Sequence, residues 1–149
     1  MKVYEFGKKT APVILLLPDT CCHWKLNFGK VIPLLTTHFH VVCVSYDGFD
    51  ETEDTVFPDM PTETEKIEAY IQETYGGHIH AAYCCSLGGS FVGLLVQRKN
   101  IPIDHAILGS SDLDQDAIWK ATLKCKIAIP LFLRNRRMDL RQSARFGVQ

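Results

Sequence analysis

The chain has no long hydrophobic run and almost no net charge. No apolar stretch in its 149 residues approaches the roughly 20 residues that a membrane-spanning helix requires. The first residues lack the apolar core of a secretory signal peptide. A formal net charge of −1 argues against non-specific nucleic-acid binding, which typically requires a strongly basic protein. We therefore expect a cytoplasmic protein that binds neither a membrane nor nucleic acid.

The six cysteines form no C-x-x-C motif, although four of them occur as two adjacent pairs. This spacing fits neither a structural zinc site nor a disulfide framework. Cys21, Cys22 and His23 could offer metal ligands, but no second pair of ligands accompanies them. We expect buried reduced thiols, with no bound metal and no cofactor.

What the sequence does contain is a regular alternation of apolar runs and amphipathic segments. Four runs have the length and composition of strands buried on both faces: residues 13–17, 40–46, 79–85 and 104–108. A short strand is also expected at residues 3–6. Helices are predicted between the runs, at residues 23–36, 62–75 and 88–98. This order predicts an α/β protein with a mostly parallel sheet and helices on both faces.

The alternation stops near residue 115. We therefore assign residues 1–115 to the core and residues 116–149 to a helical, cap-like segment that ends in a basic tail. Among the last 30 residues, Asp139 is the only acidic one. Because no further strand is recognisable, the sheet edge at residues 104–109 would be open to pairing, and a homodimer is one expected consequence.

Ser86 stands at the sharpest predicted turn of the chain. Residues 82–90, AYCCSLGGS, have the pattern of a strand that breaks into a helix with a serine at the apex. Such a nucleophile elbow holds the serine oxygen above the sheet and requires small neighbours. Gly88 and Gly89 meet that requirement on one side, while Cys84 stands where a glycine is usual.

With the elbow placed between a strand and a helix, residues 10–115 resemble the α/β-hydrolase superfamily. Four landmarks in the family's order carry the resemblance: residues 17–20 (LPDT), 45–49 (SYDGF), 84–89 (CCSLGG) and 105–111 (HAILGSS). Such proteins are similar to esterases, lipases, thioesterases and peptidases. The resemblance implies a serine acyl hydrolase that acts on a small acyl or ester substrate.

By position, the resemblance makes Ser86 the nucleophile and the backbone amides of Leu87 and Thr20 the oxyanion donors. No residue matches the family's histidine, because the strands that precede it are not recognisable. The resemblance therefore implies a truncated α/β-hydrolase-like fold with an incomplete triad. His23 is the candidate base, and Asp112 is the candidate acid. The simpler interpretation of His23 is a solvated histidine at the start of a helix, and that of Asp112 is a helix N-cap.

The other five histidines precede strands or lie near their starts, so we expect them at the opposite edge of the sheet: His38, His40, His78, His80 and His105. Asp19 is a further departure from the family, because its carboxylate would repel a developing oxyanion. We expect it to turn away and cap the following helix. Two alternatives to an active hydrolase stay open: a non-catalytic domain that binds a ligand or partner, and a piece of a longer enzyme.

Overall fold

The computed structural model describes residues 1–111 together with residues 123, 126, 127 and 130. The chain divides into two units, Met1–Leu113 and Asp114–Gln149, and the fold below is that of the first. The predicted cap-like segment, apart from those four positions, lies outside the described residues. Within the described part of the chain, no helix combines the length and the apolar character that crossing a membrane requires.

Five strands form one sheet in the order β1-β3-β2-β4-β5. Their bounds are β1 Lys2–Phe6, β2 Val13–Leu17, β3 His40–Ser45, β4 Ile79–Cys85 and β5 Ile103–Gly109. β1 pairs antiparallel with β3, and the other three pairings are parallel. The prediction of a mostly parallel sheet is therefore confirmed. The central strands are continuously apolar because helices cover both of their faces.

Four helices flank the sheet: α1 Trp24–Phe28, α2 Ile32–Leu35, α3 Met60–Tyr75 and α4 Leu87–Arg98. Side chains of α3 and α4, such as Ile67 and Phe91, pack into one buried apolar cluster with Leu15. Trp24 and Phe28 of α1 pack into a second cluster with other strand residues. The two clusters contain residues of opposite parity in β2, so the helices cover both faces, as the sequence predicted.

Two helix boundaries differ from the predictions. The helix expected over residues 23–36 is divided into α1 and α2. Gly29 has a low helix propensity, and Pro33 is tolerated only in the first turn of a new helix. The helix predicted to begin at residue 62 also differs from the structure. α3 begins earlier, and the Asp59 carboxylate accepts a hydrogen bond from the Thr62 amide at 2.7 Å.

β5 forms one edge of the described sheet. The side chains of Ile107 and Leu108 are 47% and 48% exposed, which is unusual for apolar residues of a strand in such a sheet. The homodimer expected from this open edge stays a prediction.

Candidate active site

The carboxyl ends of β2 and β4 bring together the two polar residues that dominate the site. The strands are parallel neighbours, and Leu17 pairs with Cys84. Asp19 and Ser86 each follow two residues after that pair, so both lie at the same edge of the sheet. The Tyr46 hydroxyl donates to the carbonyl oxygen of Pro18 at 3.2 Å. This buried contact fixes the loop that carries Asp19.

Ser86 has the backbone conformation of a strained turn. Its φ of 46° and ψ of −111° lie outside the regions that non-glycine residues normally adopt. Conformations of this kind cost about 1–3 kcal/mol and persist where the surrounding structure enforces them. The Ser86 amide donates to the Gly109 carbonyl at 3.2 Å, and its own carbonyl accepts from Gly89. The turn predicted from the sequence is thus present between β4 and α4.

The need for small residues after Ser86 has a direct steric cause. A Cβ atom on Gly88 would lie 2.3 Å from the carbonyl oxygen of Leu17. A Cβ atom on Gly89 would lie 2.1 Å from Ser111 Oγ. Cys84, which stands where the family usually has glycine, is buried, and its Sγ lies 3.3 Å from Ser111 Oγ. The first turn of α4 therefore packs directly on the ends of β2 and β5.

Asp19 turns toward Ser86 rather than toward a helix. Its carboxylate accepts a hydrogen bond from the Thr20 amide at 2.6 Å. A hydrogen bond from the Ser86 hydroxyl is the largest cause that lowers the pKa of Asp19, and the Thr20 and Leu87 amides lower it further. The predicted capping role of Asp19 is therefore wrong. His23 caps α1 instead, because its Nδ1 accepts from the Lys25 amide at 3.3 Å.

Of the two predicted oxyanion amides, that of Thr20 donates to the Asp19 carboxylate, and that of Leu87 lowers the pKa of the same carboxylate. Thr20 and Leu87 come from different loops, and the adjacent ends of β2 and β4 bring them together. Two N–H groups that converge on a carboxylate oxygen can also stabilise the oxyanion of an acyl-transfer reaction. The Asp19 carboxylate thus lies beside both amides that the sequence predicted as oxyanion donors.

The structure does not place His23, the candidate base, against Ser86. Its Nδ1 serves as the helix cap, and its Nε2 lies 3.8 Å from the buried carboxylate of Asp50. Asp50 also accepts from the Tyr4 hydroxyl at 2.7 Å. Both nitrogens of the His23 ring therefore have partners other than Ser86. Asp112, the candidate acid, lies outside the described residues.

The other histidines lie where the sequence predicted, at the amino ends of the strands. His40 begins β3, while His78 and His80 pair with Asp104 at 2.9 and 3.2 Å. Among the described residues, no hydrogen bond joins a histidine to Ser86, and no group of three or more potential ligands is arranged to hold a metal ion.

An apolar cavity of about 310 Å³ lies against the sheet beside α1 and α2. Phe28, Tyr83 and Ile107 contribute apolar lining, and Asn27 is its main polar group. The same Asn27 accepts a hydrogen bond from the Asp19 amide at 3.0 Å. Cys85, which precedes Ser86, also lines the cavity. Residues that hold the Ser86 turn and the Asp19 loop thus form part of the cavity wall.

The arrangement of strands and helices is shared with many solved structures. An alpha/beta hydrolase family protein from Desulfitobacterium hafniense is similar over 74% of this chain and 44% of its own, with 19% identity and a TM-score of 0.70. A hydrolase from Pseudomonas aeruginosa is similar over 87% and 48%, with 18% identity and a TM-score of 0.70. The described residues have the α/β-hydrolase fold.

This chain covers less than half of the length of those α/β hydrolases. A carboxylesterase from the ammonia-oxidizing thaumarchaeon Nitrososphaera gargenis is similar over 86% of this chain and 48% of its own, with 13% identity and a TM-score of 0.65. No protein-family model matches the chain, and no curated protein matches it either. Identities this low establish the α/β-hydrolase fold alone, so an activity has to be argued from the site.

Sequence reasoning located Ser86 but missed two residues that shape its surroundings. Asn27 and Tyr46 hold the loop of Asp19 through hydrogen bonds that span 8 and 28 residues. Asn27 belongs to no motif, and Tyr46, although it lies in the landmark at residues 45–49, was given no role there. Only the alternation of side chains along the predicted strand at residues 40–46 could have suggested which face of the sheet Tyr46 occupies.

Proposed function

We propose that Ser86 is the nucleophile of a serine acyl hydrolase that acts on small ester-type substrates. The observation that supports this most is the backbone conformation of Ser86, with φ at 46° directly before α4. Strain of this kind is concentrated at functional sites. The α/β-hydrolase fold and the adjacent ends of β2 and β4, which carry the loops of Thr20 and Leu87, support the same assignment.

In the proposed reaction, Ser86 Oγ attacks the acyl carbon of the substrate. The negative charge that develops on the carbonyl oxygen would be stabilised by the amides of Leu87 and Thr20. Each such donor typically contributes ~10²–10³ in rate. The cavity bounded by Phe28, Tyr83 and Cys85 offers an apolar surface for the acyl group.

This mechanism needs an acceptor for the proton of the Ser86 hydroxyl. Acylation of serine needs a base that accepts this proton and returns it to the leaving group. The described residues place no histidine on Ser86. Oxyanion stabilisation and binding alone retain ~10³–10⁴ over water in enzymes that lack their triad. We therefore propose slow turnover with an incomplete triad, so acylation is easier to detect than hydrolysis.

Covalent labelling by a fluorophosphonate tests the assignment of Ser86. We expect labelling of the wild-type chain and its complete loss in Ser86→Ala. Ser90→Ala is the matched control, because Ser90 lies one turn further along the same helix and should leave labelling unchanged. Intact-mass spectrometry followed by peptide mapping identifies the modified residue. Equal labelling of the wild type and Ser86→Ala would contradict the proposal.

A non-catalytic α/β-hydrolase-like domain that binds a ligand or partner is the second candidate function. It is favoured by the Asp19 carboxylate, which binds the Thr20 amide at 2.6 Å, one of the two donors that an oxyanion would need. The two ring nitrogens of His23 contact the Lys25 amide and the Asp50 carboxylate rather than Ser86, and this also favours the non-catalytic alternative. This alternative predicts no fluorophosphonate labelling together with saturable binding of a small ligand or a partner.

A further inference from the structure

The Asp19 carboxylate lies beside the groups that the proposed reaction needs. It accepts a hydrogen bond from the Thr20 amide at 2.6 Å. The Ser86 hydroxyl and the Leu87 amide both lower the pKa of the same carboxylate. A substrate carbonyl that is attacked by Ser86 would place its oxygen on the same two amides. The side chain therefore occupies the position of the reaction's own anion.

Several contacts hold the backbone of Asp19 in this place. Its amide donates to Asn27 Oδ1 at 3.0 Å, and the preceding Pro18 carbonyl accepts from the Tyr46 hydroxyl at 3.2 Å. The start of α4 is equally fixed, since Gly88 lies so close to Leu17 that a Cβ atom has no room. Because both backbones are anchored, rotation of the Asp19 side chain is the simplest movement that would open the site.

We infer, on the basis of the proposed function, that Asp19 is an internal ligand of the oxyanion site and keeps Ser86 unreactive until its carboxylate moves away. Two negative charges cannot share one pair of amide donors without strong repulsion in a partly buried site. The Ser86 hydroxyl lowers the pKa of Asp19, as a donor to its carboxylate would. The substrate can therefore bind at the two amides only when the Asp19 carboxylate leaves them.

The opposite role for Asp19, a general base for Ser86, makes an opposite prediction. The three donors that surround the carboxylate lower its pKa, with the Ser86 hydroxyl as the largest cause. A carboxylate stabilised in this way is a poor proton acceptor. Removal of a base would slow acylation of Ser86, whereas removal of an internal ligand would accelerate it.

The rate of fluorophosphonate labelling distinguishes these roles in the full-length chain. We expect Asp19→Ala to be labelled at Ser86 about 10–100-fold faster than the wild type, because two oxyanion donors become free. Asp19→Asn should fall between the two, since its amide keeps the shape and loses the charge. Asp54→Ala, in an exposed loop, is the control and should match the wild type.

Added acetate provides a second measurement on the same proteins. It should slow the labelling of Asp19→Ala by filling the emptied site with an external carboxylate. Wild-type labelling should not respond, because its site already holds one. Circular dichroism and thermal melting establish that each variant is folded. If Asp19→Ala fails to fold, Asp19→Asn carries the same comparison.

The outcomes separate this inference from the proposed function. Labelling of wild-type Ser86 without acceleration in Asp19→Ala or Asp19→Asn overturns the internal-ligand role and leaves the nucleophile in place. Absence of Ser86 labelling in every variant overturns the proposed function. The contact itself is then tested by carboxyl NMR. The pKa of Asp19 should rise in Ser86→Ala, and an unchanged value would overturn the contact as well.

Discussion

Replacing Gly88 with alanine should lower the free energy of unfolding by at least about 3 kcal/mol, the upper end of the usual range for overpacked sites. The added Cβ would lie 2.3 Å from the Leu17 carbonyl oxygen and 2.9 Å from the Leu17 carbonyl carbon. These are backbone atoms of a strand in the interior of the sheet, so they cannot rotate away as a side chain could. Relief requires α4 to shift outward, which would open its buried contacts with the sheet.

Urea unfolding followed by circular dichroism measures this loss. Ser90→Ala is the control from the same helix, and its effect should stay within about 0.5 kcal/mol, because alanine has the better helix propensity. We also expect Gly88→Ala to lose fluorophosphonate labelling along with stability. A Gly88→Ala chain as stable as the wild type would show that α4 can move away from β2 at little cost.

Gly88 also shows why the elbow could be predicted from sequence. A strand that reverses directly into a helix needs small residues at fixed offsets, and those offsets are visible in residues 84–89. The apolar runs placed β2 and β4 correctly for a similar reason. Burial on both faces leaves a continuous hydrophobic signature within a few neighbouring residues. Constraints of this kind act between neighbouring residues, so the local sequence is enough to predict them.

Asp19 shows what local sequence could not provide. Capping by an aspartate is a common local interaction, so the sequence favoured it. In the structure α1 starts at Trp24, which is too far along the chain for Asp19 to cap it. The partner that Asp19 does find, Ser86, is 67 positions away and becomes adjacent only through the pairing of β2 with β4. The register between two strands that lie far apart in the sequence leaves no pattern in the local sequence of either strand.

His23 illustrates the same difference at the candidate base. The sequence placed it correctly at the carboxyl edge of the sheet, directly before α1. Its ring is nevertheless engaged by a cap contact and by Asp50, a residue from the loop after β3. Position along a strand predicts which edge a residue occupies, but the partners of its side chain depend on the neighbouring loops.

At the amino edge of the sheet, Glu5 should make the protein sensitive to acid. The Tyr75 hydroxyl donates to the Glu5 carboxylate at 2.8 Å, and the Tyr70 hydroxyl donates to the same oxygen. His40 lies 3.6 Å from the second carboxylate oxygen. These hydrogen bonds, with that from Tyr70 as the largest cause, lower the pKa of Glu5 from 4.5 to about 2.

The sign of the effect follows from proton binding. The unfolded chain binds a proton at Glu5 near pH 4.5, while the folded chain resists protonation down to about pH 2. The stabilisation is therefore complete above pH 4.5 and is lost as the pH falls toward 2. It amounts to about 3–3.5 kcal/mol, because the pKa differs by about 2.5 units and each unit corresponds to about 1.4 kcal/mol.

Glu5→Gln isolates this contribution, because glutamine can still accept a hydrogen bond from a tyrosine but does not titrate. We expect the variant to be about 3–3.5 kcal/mol less stable than the wild type at pH 7, with a difference that shrinks steadily below pH 4.5. Urea unfolding at a series of pH values measures it. Glu51→Gln, in an exposed loop, should match the wild type throughout. A difference between Glu5→Gln and the wild type that stays constant from pH 6 to pH 3 would mean that Glu5 stabilises the fold by packing rather than by its charge.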